Sequence, residues 1–280
     1  MNSASENIKI NVIFRSCDAV NAVNNSARPF NLDKGTLIKI CFKSLLNALE
    51  GIDYKMIVIG DALSKETRDF FLKYDIELIE GVFGNDKSIL ESIKIAEKIN
   101  SEEWIYFCED DYLHTKDSFK KILNLIKVKD LIVPGRIKLN QLLRKRTISL
   151  FSFKRYLSKP NLVIHPCDYP DRYTIKYATK NFIFHTKDSH WRQISNTTFT
   201  FLIEAKELIK LRKTFIKSSK RANDGYLSAT LFGRSFFFNK LLCVSPIPSL
   251  STHMHQETMS PIIDWEKLAT ELLCEIKTEE

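Results

Sequence analysis

The chain has 280 residues, 44% hydrophobic and 27% charged, with six cysteines and a formal net charge of +8. That composition is ordinary for a globular protein and long enough for one large α/β domain or two small ones. No apolar run approaches the roughly 20 residues needed to span a bilayer. No CxxC pair suggests a disulfide or zinc framework, and no basic stretch precedes an apolar core at the N-terminus. The expectation is a cytoplasmic protein with reduced, mostly buried cysteines.

The first half alternates. Residues 8–15 (IKINVIFR) read as a strand whose end carries Arg15, Ser16 and Asp18. Residues 35–49 place Leu37, Ile38, Cys41, Leu45 and Leu49 at helical spacing. YKMIVIGD follows as a β-branched strand ending on Asp61, then a helix opened by Ser64, the short strand IELIEG, and the amphipathic helix DKSILESIKIAEKI. WIYFCEDDYLH, Trp104 to His114, is the next strand, KDSFKKILNLIK a helix, and DLIVPGRI a further strand. Such alternation with short links predicts βαβ units and a mostly parallel, Rossmann-like sheet flanked by helices. The second half is less regular. Residues 137–180 are basic and loop-rich, 181–204 read as β-rich before a helix, NDGYLSATLF begins another helix near Asn223 or Asp224, and the tail ends in an amphipathic helix. The expected organisation is a single domain over 1–280, with a regular half (1–135) and an elaborated half (136–280).

Glu109, Asp110 and Asp111 close the central apolar strand. Three adjacent acids repel one another, and burying them costs several kcal/mol unless cations meet them. They are either a solvated turn or a cation site, and their place at the carboxyl end of a parallel strand, where open α/β sheets bind ligands, favours the site.

Taken in order, VIGDALS (58–64), GNDKSILESIKIAEKI (84–99), YFCEDDYL and STHMH (251–255) resemble a GT-A glycosyltransferase of the broad family-2-like group. The departures are FRSCD at the first strand end and a DxD motif in the form Glu109-x-Asp111. The resemblance implies a sugar transferred from a nucleotide donor with a divalent ion, Mn²⁺ or Mg²⁺, on the diphosphate. It assigns Asp111 and His253 to the metal, with His255 behind them. Glu109 would reach the ribose or a metal-bound water, and Asp110 the donor sugar. Arg15, beside Ser16, reads as a diphosphate or base contact, or else as a surface arginine over the sheet. Asp61 reads as a base or ribose contact or a turn residue, and Lys87 as a phosphate contact or a solvated lysine. In inverting members an acid at a helix N-terminus in the second half is the general base. Asp224 fits that place, as base, N-cap or both, and the helix dipole would keep it ionised. Glu204 is a weaker alternative. His190, Trp191 and Arg192 resemble an acceptor-side loop, with Trp191 offered to a sugar face or packed in the core.

The basic clusters at 144–155 and 210–221 read as solvated helix faces and loops, as attraction to a phosphate-bearing substrate, or as peripheral contact with an anionic membrane at its inner face, and hence a glycan or lipid-linked acceptor; no nucleic-acid motif accompanies them. The alternatives are a sugar-nucleotide nucleotidyltransferase, which would want a glycine-rich loop after the first strand, a phosphohydrolase, which would want its DxD there, and a non-enzymatic basic binding module.

Overall fold

The computed structural model describes residues 8–19, 28–131, 161–173, 183–232 and 241–279. The expected strand at DLIVPGRI and the basic cluster at 144–155 fall mostly or wholly outside them.

The N-terminal half is a run of βα units: β1 (Ile10–Ser16), α1 (Lys34–Ala48), β2 (Tyr54–Asp61), α2 (Lys65–Phe71), β3 (Glu77–Gly81), α3 (Gly84–Ala96) and β4 (Trp104–Glu109). A short β5 (Tyr112–His114) and α4 (Ser118–Lys127) follow. The second half adds β6 (Leu162–Ile164), β7 (Ile183–His185), β8 (His190–Ile194), β9 (Phe201–Glu204), α5 (Ala205–Ser219), α6 (Asp224–Leu231), β10 (Leu242–Ile247), β11 (Ser251–His253) and α7 (Trp265–Glu279).

Among the described residues, nine strands form one sheet in the order β3-β2-β1-β4-β9-β6-β10-β8-β7. β1 to β4 are mutually parallel, and only β8 and β9 oppose the common direction. The mostly parallel sheet read from the sequence is therefore present, closed on one flank by a mixed extension.

Local chemistry explains the elements. Asp33 caps α1 by accepting from the Thr36 N–H at 2.9 Å, and Ser64 caps α2 through the Thr67 N–H at 3.2 Å. The apolar face of α1 lies in the core with Phe14 of β1, and Phe14, Phe42 and Phe71 meet edge-to-face at centroid distances of 4.9–6.0 Å. A second core, around Ile13, Phe107, Phe201 and Phe215, seats α3, α5 and α6 on the other face. Cys41, Cys108, Cys167 and Cys243 are buried thiols, and no cysteine is bridged.

The acidic stretch is not one continuous strand. β4 stops at Glu109, Asp110 and Asp111 make a turn, and β5 leaves the main sheet to pair antiparallel with β11, Tyr112 facing His253. Like charges at adjacent positions favour this break, because a turn lets the three side chains diverge toward different partners.

Candidate metal and donor site

The three acids are matched by three cations. Arg15 lies opposite Glu109 in the β1–β4 register, and its Nη2 donates to Glu109 Oε1 at 2.7 Å. Its Nη1 reaches Ser88 Oγ and Asn85 Oδ1 on α3, at 2.9 and 3.1 Å. The other Glu109 oxygen accepts from Thr200 Oγ1 at 3.3 Å. Lys34, the first residue of α1, donates to Asp110 Oδ1 at 2.5 Å, and the Cys17 N–H donates to Oδ2 at 2.8 Å. Arg28 Nη1 stands 3.5 Å from Asp111 Oδ2. Asp110 is therefore a buried anchor tying the ends of β1 and α1 to the acidic turn. Each of its oxygens already accepts one hydrogen bond, from Lys34 and from the Cys17 N–H.

Asp111 faces two imidazoles. Nε2 of His253 and Nε2 of His255 each lie 3.2 Å from Asp111 Oδ2. The β5–β11 pairing sets this up, reinforced by the Met254 N–H donating to the Asp111 carbonyl at 2.8 Å. His253 is stacked between Tyr112 and His255, at ring distances of 4.9 and 4.1 Å, and its Nδ1 faces Thr258 Oγ1 at 3.2 Å. That contact turns Nε2 toward Asp111, the usual way a ligating imidazole is oriented. One carboxylate oxygen and two imidazole nitrogens converge within 4.8 Å of one another. This oxygen and nitrogen set fits Mn²⁺ well and Mg²⁺ less well. His255 is a full member of the triad rather than a residue behind it.

The electrostatics follow. Burial alone would raise the Asp111 carboxyl, but the charge and hydrogen bond of His253, with the hydrogen bond of His255, hold it well below the usual range. Burial opposes protonation of His253, yet Asp111 outweighs it and raises the imidazole. Burial pushes the Glu109 carboxyl up, and Arg15 offsets only part of the rise.

Asp224 is the first residue of α6, and Asn223 is the cap, accepting from the Tyr226 N–H at 2.8 Å. The cap role is thus taken by its neighbour. Burial, then the negative charge of Glu109, push Asp224 up to about 7, with Arg15 and His253 pulling the other way. The helix N-terminus does not keep it at an ordinary carboxylate value as expected, because desolvation and Glu109 outweigh the dipole. The charges of these three side chains thus bear on the Asp224 carboxyl. Glu204 is instead held by Lys129 and Lys206 at the end of β9.

Asp61 is buried and accepts from the Phe83 N–H at 2.6 Å, which pins the β3–α3 loop. Ser16 is buried, and its hydroxyl has no partner among the described residues. Lys87 is exposed on the first turn of α3. The expected acceptor loop at 190–192 is strand β8, paired with β10. His190 is exposed, but Trp191 is fully buried, with Nε1 donating to Thr186 Oγ1 at 3.2 Å, and Arg192 is tied to buried Asp168 beneath the Tyr173 ring. Trp191 has no exposed face for a sugar, and the Arg192 guanidinium is already paired. Sequence reading missed Arg28, Lys34, Ser88 and Thr200. Only Lys34, one residue after the capping Asp33, carried a signal, because helix starts in this fold point at the ligand crevice.

The acid–cation pairs and the candidate triad stand at the carboxyl end of β4, where Rossmann-like sheets bind ligands. Residues 31–199, more than half of the chain, match the family described as Glycosyl transferase family 2, and the protein belongs to that family. It is an enzyme of the glycosyltransferase class with the GT-A fold. No curated protein matches the sequence. Among solved structures, an active-site mutant of LgtC aligns at 12% identity over 95% of both chains, with a TM-score of 0.42. S. aureus TarS, residues 1–349, aligns at 11% identity over 74% of this chain and 50% of that one, also at 0.42. The 4-diphosphocytidyl-2C-methyl-D-erythritol synthase of Anaerococcus prevotii aligns at 12% identity over 97% of both, at 0.43. At these scores the likenesses bear no functional argument.

Proposed function

We propose that the protein is a metal-dependent, inverting glycosyltransferase that moves a sugar from a nucleotide donor to a glycan or lipid-linked acceptor. The observation that carries this reading is the convergence of Asp111, His253 and His255 at the carboxyl end of β4. A divalent ion on Asp111, His253 and His255 would supply positive charge to the departing diphosphate. Asp224 takes the acceptor hydroxyl proton as that oxygen attacks the anomeric carbon, and the bond from that carbon to the diphosphate breaks. A pKa near 7 suits this task, since a base works best when its pKa lies close to the working pH. Glu109, fixed by Arg15 and Thr200, helps keep Asp224 basic. Donor contacts fall to the 1–135 half, around Arg15, Ser16, Asp61 and Lys87, and the acceptor to the 136–280 half.

Membrane contact and a cytoplasmic location are part of the proposal. Lys206, Lys210, Arg212, Lys213, Lys217, Lys220 and Arg221 are exposed on and just after α5. No helix among the described residues is long and apolar enough to cross a membrane. Retention on vesicles containing anionic lipid at low salt, lost at high salt, tests this part.

The test of activity is release of the free nucleotide from UDP-, GDP-, CMP- and dTDP-linked sugars, with Mn²⁺ or with EDTA. Metal-dependent turnover of one donor class, abolished by Asp111→Asn, supports the reading. Turnover unaffected by EDTA contradicts it.

A further inference from the structure

Of the three acid–cation pairs, the Arg28 pair differs from the other two. Arg15–Glu109 and Lys34–Asp110 are close, at 2.7 and 2.5 Å, and involve acids outside the ligand triad. Arg28 Nη1 instead stands 3.5 Å from Asp111 Oδ2 and 3.4 Å from His255 Nε2, the two ligand atoms themselves. The guanidinium is largely buried, its side chain 12% exposed, so solvent screens it weakly. The backbone just after it is unusual. Phe30 and Asn31 are successive non-glycine residues in the left-handed region, at φ 60° and 53°. Such a turn persists only where its surroundings hold it, and such turns cluster at ligand clamps.

A guanidinium and a divalent cation cannot share one carboxylate oxygen and one imidazole nitrogen without strong repulsion at that range. A nucleotide donor brings the complementary group, a diphosphate that a guanidinium grips with two hydrogen bonds. We propose that Arg28 competes with the divalent ion for Asp111 and His255, and that the donor's diphosphate relieves the competition by taking the guanidinium. Ion and nucleotide then bind with positive coupling, and Arg28 is a residue that sets its size. This rests on the metal-dependent reading above and adds a rule of assembly. The ion alone is held weakly, ion and donor together tightly, and a metal-loaded site without donor is rare.

The test is Mn²⁺ binding to the full chain by titration calorimetry, with and without the nucleoside diphosphate that the wild type binds. Coupling is read as the ratio of the two Mn²⁺ affinities. Arg28→Gln removes the competing charge. Mn²⁺ without nucleotide should bind about tenfold tighter or more, nucleotide at saturating Mn²⁺ should bind more weakly, and the coupling ratio should fall. The two affinities move in opposite directions, which general damage to the site would not produce. If Arg28→Gln does not fold, Arg28→Lys carries the test. A point charge on a shorter stem reaches the two ligand atoms less well, so Mn²⁺ should tighten by a smaller factor. Wild type that binds Mn²⁺, with variants that bind it no tighter, overturns this inference alone. Wild type that binds no Mn²⁺ in any condition overturns the metal reading and the inference with it.

Discussion

Asp110 is the acid whose role the structure changes most, and its substitution by Asn is the sharpest test of how the site is built. The Lys34–Asp110 pair is 8% and 10% exposed at its side chains. Asn at 110 keeps the shape and can still accept from the Cys17 N–H, but it leaves a buried ammonium without its carboxylate. Breaking one side of a buried pair costs about 3–5 kcal/mol. Burial disfavours the Lys34 charge, and Asp110 and then Asp111 support it. Asp111 remains in the variant, so the loss should fall near the lower end, about 3 kcal/mol. For a chain of this size that lowers Tm by roughly 6–12 °C. Urea unfolding gives the free energy, and an unchanged slope confirms that stability rather than compactness has altered. Pairing Asp110→Asn with Lys34→Met removes both charges and should recover most of the loss, because the penalty comes from the charge left unpaired. A loss below about 1 kcal/mol for Asp110→Asn, the range of an exposed ion pair, would refute the buried-anchor assignment.

Asp224→Asn should lower kcat by at least about a hundredfold with little change in donor affinity, as removal of a general base does. In the wild type, kcat/KM should rise with pH through about 7, as the Asp224 carboxyl ionises; a flat profile between pH 5.5 and 8.5 would remove it from the base role. His253 is raised above its ordinary value, so protons compete with the ion there, and Mn²⁺ affinity should strengthen as pH rises from 6 to 8. Trp191→Phe should leave acceptor KM within about twofold and lower stability by about 1 kcal/mol through the lost Thr186 bond. A large rise in acceptor KM would restore the sugar-stacking role that its burial denies.

What the sequence disclosed and what it hid divide along physical lines. Elements with strong local signals were legible: β2 ends where YKMIVIGD ends, and α1 lies within a residue of its helical spacing. Asp111 and His253 could be singled out because they stand in short, chemically distinctive runs, and the β5–β11 pairing brings them together. The partners of the acids were not legible. Arg15 meets Glu109 through strand register, Lys34 meets Asp110 across 76 positions, and Arg28 meets His255 across 227. No local pattern encodes contacts that only the folded sheet creates. The choice left open at 190–192, Trp191 on a sugar face or in the core, has a similar cause, since a tryptophan between polar residues looks the same in an acceptor loop as in an alternating strand. For Asp224 the position was readable, but its ionisation depends on burial and on Glu109, which lies 115 residues away in sequence.

The central claim is that Asp111, His253 and His255 form one metal centre on which donor binding depends. Titration calorimetry of UDP, GDP, CMP and dTDP with Mn²⁺, and again with EDTA, tests it most directly when run on wild type, Asp111→Asn and the His253→Ala, His255→Ala pair. The account predicts that one nucleotide class binds wild type in the presence of Mn²⁺, loses at least about a hundredfold in affinity with EDTA, and loses as much in either variant. Nucleotide affinity that is equal with Mn²⁺ and with EDTA, or unchanged in both variants, would contradict it.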